Sequence, residues 1–252
     1  MNNTDKEDKL ILSRAEDAVL ICERKYQVKT VGFLNPHQRV IIKKNIYPPV
    51  DVKVSFEGGY DDAERTLMVC TPEYIDVDVD EIIKVIKVSG RDVAALSHRD
   101  YLGSLMGLGI TRENIGDIIV SDSGSYIIVK ADIAEYILNN IDKIGRHGVK
   151  TTVCKCAEVE IPKPKTKDVI GTVSSLRLDS VLSVAAGISR SRAAELITSA
   201  AVSLNFEVCE SVSEKVAEGD LISVRGIGRM RLERVGSLTR KGRIGITVAK
   251  FE

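Results

Sequence analysis

Between residues 5 and 24 apolar side chains recur at intervals of three and four, at Ile11, Ala15, Val19 and Cys22, with charged residues between them. That period predicts an amphipathic helix packed on the region that follows. From Val28 to Thr71 the pattern shortens to brief runs, among them Val40-Ile41-Ile42 and Val52-Lys53-Val54, punctuated by Pro36, Pro48, Pro49 and Gly58-Gly59. Turn residues at such intervals predict a small strand-rich subdomain.

Farther along, the pattern alternates between the two periods. Ile82 to Val88 is a β-branched run and predicts a strand; Ser97 to Leu108 carries Leu102, Leu105, Met106 and Leu108 and predicts a helix. Ile118–Val120 and Tyr126–Val129 flank Ser-Asp-Ser-Gly, a hairpin signal. Asp132–Ile141 then predicts a helix and Val149–Cys156 a strand. Strand, helix, strand, strand, helix, strand is the split ferredoxin-like plan that RNA-recognition modules share with many unrelated proteins.

Lys155 to Lys167 mixes Pro162 and Pro164 with Lys, Glu and Val, the composition of an extended connector, which puts a boundary between 158 and 171. Beyond it the pattern predicts a helix from Leu178, a turn at Gly187, a helix from Arg190 to Ala200, and strands at 202–204, 221–224 and 244–248. The expected fold class is therefore α+β, in three parts. These are an N-terminal α+β subdomain (1–75), a central ferredoxin-like, RRM-like βαββαβ domain (76–160) and a small α+β domain (172–252).

Composition fits a folded chain, with 44% hydrophobic and 29% charged residues, and excludes a disordered, collagenous or coiled-coil one. The first nine residues lack the basic and apolar regions of a secretory signal, and no apolar run approaches a membrane span. A cytoplasmic location without a membrane is expected. The five cysteines are scattered and odd in number, which predicts reduced thiols in place of a disulfide framework.

The 36 basic and 36 acidic residues balance, yet the charge is unevenly placed. Between 225 and 243, Arg225, Arg229, Arg231, Arg234, Arg240, Lys241 and Arg243 are opposed only by Glu233, the footprint of a polyanion partner. Glycines at 226 and 228 among these cations suit close approach of a phosphate backbone. Arg190 and Arg192 follow Ser189, a suitable N-cap, and so fall in the first helical turn, where the macrodipole disfavours cations unless an anion compensates. Backbone amides there favour a phosphate too.

Residues from Arg177 to Arg225 closely resemble the S-four RNA-binding domain. Its pattern appears in order as Arg177-Leu178-Asp179, Ser189-Arg190-Ser191 with an amphipathic helix, Val202-Ser-Leu-Asn205, and Gly219-Asp220 before an apolar strand. Two positions depart from it: Ala201 stands where a glycine is usual, and Phe206 follows Asn205 where Asn-Gly is usual.

The chain as a whole resembles the YlmH family, through Gly58-Gly-Tyr-Asp-Asp-Ala-Glu-Arg65, the run from His98 to Ile110, Gly116-Asp-Ile118 and Arg225-Gly-Ile-Gly-Arg229. The resemblance implies association with large ribosomal subunits obstructed by a nascent chain and tRNA. It also implies a role in ribosome-associated quality control and a gene neighbourhood linked to cell division. The expected partners are structured RNA (rRNA, tRNA) and the large subunit, with the protein itself a monomer. The expected RNA contacts are Arg177, Ser189, Arg190, Ser191, Arg192, Asn205, Arg225, Arg229, Arg231, Arg240, Lys241 and Arg243. Secondary contacts are Arg65, His98, Arg99 and Tyr101, the last two directed to solvent or RNA, while Ser97, His98 and Asp100 cap a helix.

Catalytic readings fail on chemistry. His98-Arg99-Asp100 imitates a kinase triplet, but Leu105 stands where Asn is required, and no phosphate loop occurs. The three histidines are far apart, Cys154-Lys-Cys156 lacks zinc-site spacing, and Gly226-x-Gly228 is no dinucleotide fingerprint. Arg177-Leu-Asp179 resembles the catalytic loop of pseudouridine synthases, but Leu176 replaces its glycine. No enzyme, metal or cofactor is expected. The alternatives to an RNA-binding module are an accessory RNA-modification factor and an interaction protein of the division machinery.

Overall fold

The computed structural model describes residues 3–91, 93–121, 124–162 and 165–251, with side chains from Lys6 onward. Contacts divide the chain into two units, one ending at Pro162 and one following it.

The first unit opens with α1 (Asn3–Lys25), β1 (Lys29–Leu34), α2 (Pro36–Asn45), β2 (Val52–Glu57) and β3 (Thr66–Pro72), the strands forming an antiparallel sheet in the order β1-β3-β2. The stripe Ile11, Ala15, Val19 and Cys22 is buried against Val31, Ile42, Met68 and Cys70, as its period requires. Val40-Ile41-Ile42, read above among the strand-like runs, lies inside α2. There Asn35 and Gln38 form a reciprocal capping box, with Pro36 at the helix start, and this start signal outweighs three β-branched residues.

A one-turn helix α3 (Val79–Ile82) leads into β4 (Ile83–Ser89), α4 (His98–Gly107), β5 (Ile115–Ser121), β6 (Gly124–Lys130), α5 (Ala131–Asn140), the two-residue strands β7 (Lys143–Ile144) and β8 (His147–Gly148), and β9 (Lys150–Cys154). The sheet order β5-β6-β4-β9, all antiparallel, is that of a split ferredoxin-like sheet. The middle of the β5–β6 turn, Asp122-Ser123, lies outside the described residues. Helices α4 and α5 cover one face, through Leu105, Ala134 and Ile137 against Ile86, Val88, Ile127 and Val129. The other face is covered as well: Val85, Ile119, Tyr126 and Ile128 pack against Phe33, Leu67 and Val69 of the N-terminal sheet. Two sheets face to face thus form the centre of this unit.

The second unit comprises β10 (Thr166–Val173), α6 (Leu178–Ala186), α7 (Arg190–Thr198), β11 (Val202–Leu204), β12 (Glu207–Val208), β13 (Leu221–Val224), β14 (Gly228–Leu238) and β15 (Ile244–Phe251). Its sheet runs β10-β15-β14-β13-β11-β12, with α6 and α7 against one face. Gly187 ends α6 in the left-handed region, φ 67°, and Ser189 accepts a hydrogen bond from Arg192 N at 3.1 Å to start α7.

Two long strands of this unit were not expected. β10 occupies part of the stretch read as connector. Thr166–Val173 pairs along its whole length with β15, and Gly171 gives room to Val184 of α6, whose Cγ1 would lie 2.4 Å from an added Cβ. β14 extends through the arginine cluster because Met230 and Leu232 are fully buried between exposed Arg229 and Arg231, an alternation of period two.

Candidate nucleic-acid interface

Arg177 is the N-cap of α6, and Asp179, in its first turn, is buried with only 5% exposure. Two guanidinium groups hold its carboxylate: Arg177 donates from Nε at 3.1 Å, and Arg190, from the start of α7, donates from Nε at 2.8 Å. Burial by itself pushes the Asp179 carboxyl up, but the hydrogen bonds and charges of Arg177 and Arg190 outweigh it and hold the group below the usual 3.8. The helix starts are thereby tied together. Both arginine side chains stay open to solvent, at 37% and 53%. The anion that offsets Arg190 at its helix N-terminus is therefore internal. Arg192 has its own carboxylate, Glu195 at 2.8 Å, one turn along. With exposed Ser189 and Ser191 on the same turn, these residues present guanidinium and hydroxyl donors close together. Asp179 belongs to the site as well, and its signal in the sequence is a carboxylate two residues after one arginine and eleven before another.

Asn205 has a different task. Its Nδ2 donates to Asp220 at 2.8 Å and its Oδ1 accepts from Leu221 N at 2.9 Å, so both ends of the amide fix the strands around it. Arg225 is exposed in the β13–β14 turn, where its N–H donates to Ala201 O at 2.9 Å. Gly226 and Gly228 there have φ of 82° and 117°, with nothing within 4 Å of an added Cβ. The left-handed turn, not crowding, demands glycine. Arg229, Arg231, Arg240 and Lys241 are exposed. Arg231 lies over the Phe251 ring, 5.6 Å from its centroid, whereas Arg243 is tied to β10, donating to Thr172 Oγ1 at 2.9 Å and Thr172 O at 2.6 Å.

In the first unit the secondary contacts divide. His98 and Arg99 are exposed at the start of α4, with the His98 imidazole held below 6.5 by partial burial and by Arg112. Ser97 is the N-cap, donating its N–H and hydroxyl to Asp100 at 2.8 and 2.7 Å. Tyr101 does not face solvent or RNA: it is fully buried, and its hydroxyl donates to Ser125 Oγ at 2.7 Å. It stands four residues before the buried Leu105, on the core stripe of α4. Arg65 is also occupied, donating to the carbonyls of Phe33, Ile115 and Arg112. Burial, and then repulsion from Arg112, lowers it to about 10.

RNA-recognition modules use the open face of a four-stranded sheet to stack bases. Here that face lies under the N-terminal sheet, so the central domain cannot bind RNA in that manner without separating the two.

A ferredoxin-like domain preceding a two-helix domain with exposed arginines at its joined helix starts defines a modular RNA-binding protein. Family models agree: one described as "Putative RNA-binding domain in YlmH" matches residues 73–158, and one described as "S4 domain" matches 176–222. The chain is 32% identical over 244 residues to "Ribosome-associated protein quality control protein P2" of Bacillus subtilis (strain 168), spanning 96% of this chain and 95% of that protein. In fold it is similar to "Cell division protein ylmH from Streptococcus pneumoniae", with a TM-score of 0.51 and 21% identity over 62% of this chain and 95% of the other. The chain belongs to the YlmH family.

Proposed function

We propose that this protein binds rRNA or tRNA on the large ribosomal subunit and serves ribosome-associated quality control of stalled nascent chains, as a cytoplasmic, monomeric, non-catalytic factor. The observation that carries this reading is the Asp179 clamp, which holds Arg177 and Arg190 side by side at two helix starts while leaving part of each side chain open to solvent. Such a pair suits a phosphate group, because arginine presents several donors in a fixed plane. The name of the Bacillus subtilis relative, which shares almost the full length, supports the ribosomal setting. Among the described residues no helix is long and apolar enough to cross a membrane.

Sedimentation through sucrose at low and high salt, followed by crosslinking and sequencing of bound RNA, tests the proposal. Migration with large subunits at low salt, release at high salt, and crosslinks to rRNA or tRNA from residues 177–243 are expected. A protein that stays at the top of the gradient at both salt concentrations, with no RNA attached, refutes it.

A further inference from the structure

The six-stranded sheet of the second unit has two faces, and arginines leave from both sides of the domain. One face carries Ile222, Val224, Met230, Leu232, Ile246 and Val248 against α6 and α7. Strand side chains alternate, so Arg229 and Arg231, flanking the inward Met230, leave from the face away from the helices. The registers extend that face. Arg229 pairs with Ser223, Arg231 with Leu221 and Ala249, and, past the irregularity after Leu232, Arg234 pairs with Thr247. Thr247 pairs in turn with Ile170 of β10, which is 81% exposed, so this part of the face lies open.

Three exposed arginines therefore follow one another down β14 on a surface separate from the clamp at the helix starts. We propose that this outer sheet face is a second contact surface for an RNA backbone, so that one C-terminal unit holds two RNA segments at once. The inference rests on the RNA-binding reading above. Charge complementarity selects the occupant. Against Arg229, Arg231 and Arg234 the neighbouring carboxylates are Asp168, paired with Ala249, Glu233, at the strand irregularity, and Glu218, which is taken up by the Val235 backbone N–H at 2.9 Å. Residues two apart on a strand stand about 7 Å apart, a step that lets successive arginines meet successive phosphates. Ser223 and its partner Ser203 set hydroxyl donors beside Arg229, and the Phe251 ring beneath Arg231 orients its guanidinium plane. The three arginines of β14, and β10 and β15 beside them, lie outside the S4 match at 176–222.

The test uses the full chain and a fluorescently labelled 24-nucleotide RNA stem-loop, with stoichiometry and salt dependence measured for wild type, R231Q/R234Q and R190Q/R192Q. Two stem-loops per wild-type chain are expected, and one for R231Q/R234Q. The lost site should have a salt slope of about 0.7 to 0.9 per phosphate contacted. If wild type binds one stem-loop and R231Q/R234Q leaves its affinity and salt slope unchanged, the sheet-face proposal falls while RNA binding stands. One stem-loop weakened by both variants makes the faces a single site and overturns their separation. No binding by wild type at low salt overturns both readings. Wild-type RNA binding by R231Q/R234Q, with loss of ribosomal co-sedimentation, assigns the face to an acidic protein segment instead. Should R190Q/R192Q fail to fold, the exposed pair Arg231 and Arg234 still decides the matter.

Discussion

Tyr60 donates its hydroxyl to Asp117 at 2.7 Å across 57 residues of sequence. Asp117 also accepts the backbone N–H of Glu64 at 2.7 Å and of Arg65 at 3.2 Å. Two motifs that carried the family resemblance, Gly58–Arg65 and Gly116–Ile118, thus form a single junction between the N-terminal sheet and the ferredoxin-like sheet. Burial first, and then this hydrogen bond, pushes the Tyr60 phenol well above its usual value. Asp117→Ala should destabilise the first unit by about 3 kcal/mol, because three half-buried donors lose their acceptor. Tyr60→Phe, which removes one bond, should cost about 1 kcal/mol. Urea denaturation followed by circular dichroism measures both; equal effects would contradict a shared acceptor.

The Asp179 clamp makes the second unit sensitive to acid in a defined direction. Its carboxyl titrates below 3.8 in the folded protein, so the stability it contributes is present above the unfolded value and is lost as pH falls through the folded one. Asp179→Asn should be less stable than wild type at neutral pH, and the gap should close as pH drops below about 4. Chemical denaturation at a series of pH values provides the comparison. A gap independent of pH would assign the loss to packing alone.

The turn between β11 and β12 holds two non-glycine residues in the left-handed region, Asn205 at φ 49° and Phe206 at φ 71°. Leu204 pairs with Glu207, leaving the two-residue loop that favours Asn-Gly. Phe206→Gly should therefore raise the stability of the second unit by about 1 kcal/mol, read as a higher midpoint in thermal melting. A lower midpoint would mean that contacts of the half-buried ring outweigh the backbone strain.

Tyr101 and Ser125 are a buried hydroxyl pair in the ferredoxin-like core. Tyr101→Phe and Ser125→Ala should each cost about 1 to 2 kcal/mol by leaving one partner unsatisfied, and the double variant should cost less than their sum. RNA affinity should not change in any of the three. Strict additivity in denaturation would show that the two hydroxyls are not coupled.

Local periodicity made α1, the βαββαβ order and the paired helices of the second unit legible, because each depends on residues close in sequence. Pairing between distant segments was not legible in the same way. Leu67-Met68-Val69-Cys70 is an unbroken apolar run, the pattern of a strand covered on both faces, but the run does not indicate that one of the covering surfaces is a second sheet beginning at Ile83. β10 escaped notice because the prolines before it suggested a connector, while its apolar face is only Val169, Gly171 and Val173. Among the basic residues, type and position were readable but engagement was not. Arg65 and Arg243 bind carbonyl oxygens of their own chain, Arg190 binds Asp179, and Arg234 leaves from an open sheet. Tyr101 could have been assigned to the core by its four-residue spacing from Leu105.

The sheet order of the second unit also governs how it can come into being on a ribosome. β15 lies between β10 and β14, yet it is the last of the six strands to be synthesised. Until it emerges, β10 has no strand to pair with, and the inward side of Met230 and Leu232 lacks Ile246 and Val248 beside it. The domain that carries the arginines therefore completes its sheet only after the chain has been read through Phe251, and the outer face around Arg231 and Arg234 takes shape later than the joined helix starts of α6 and α7.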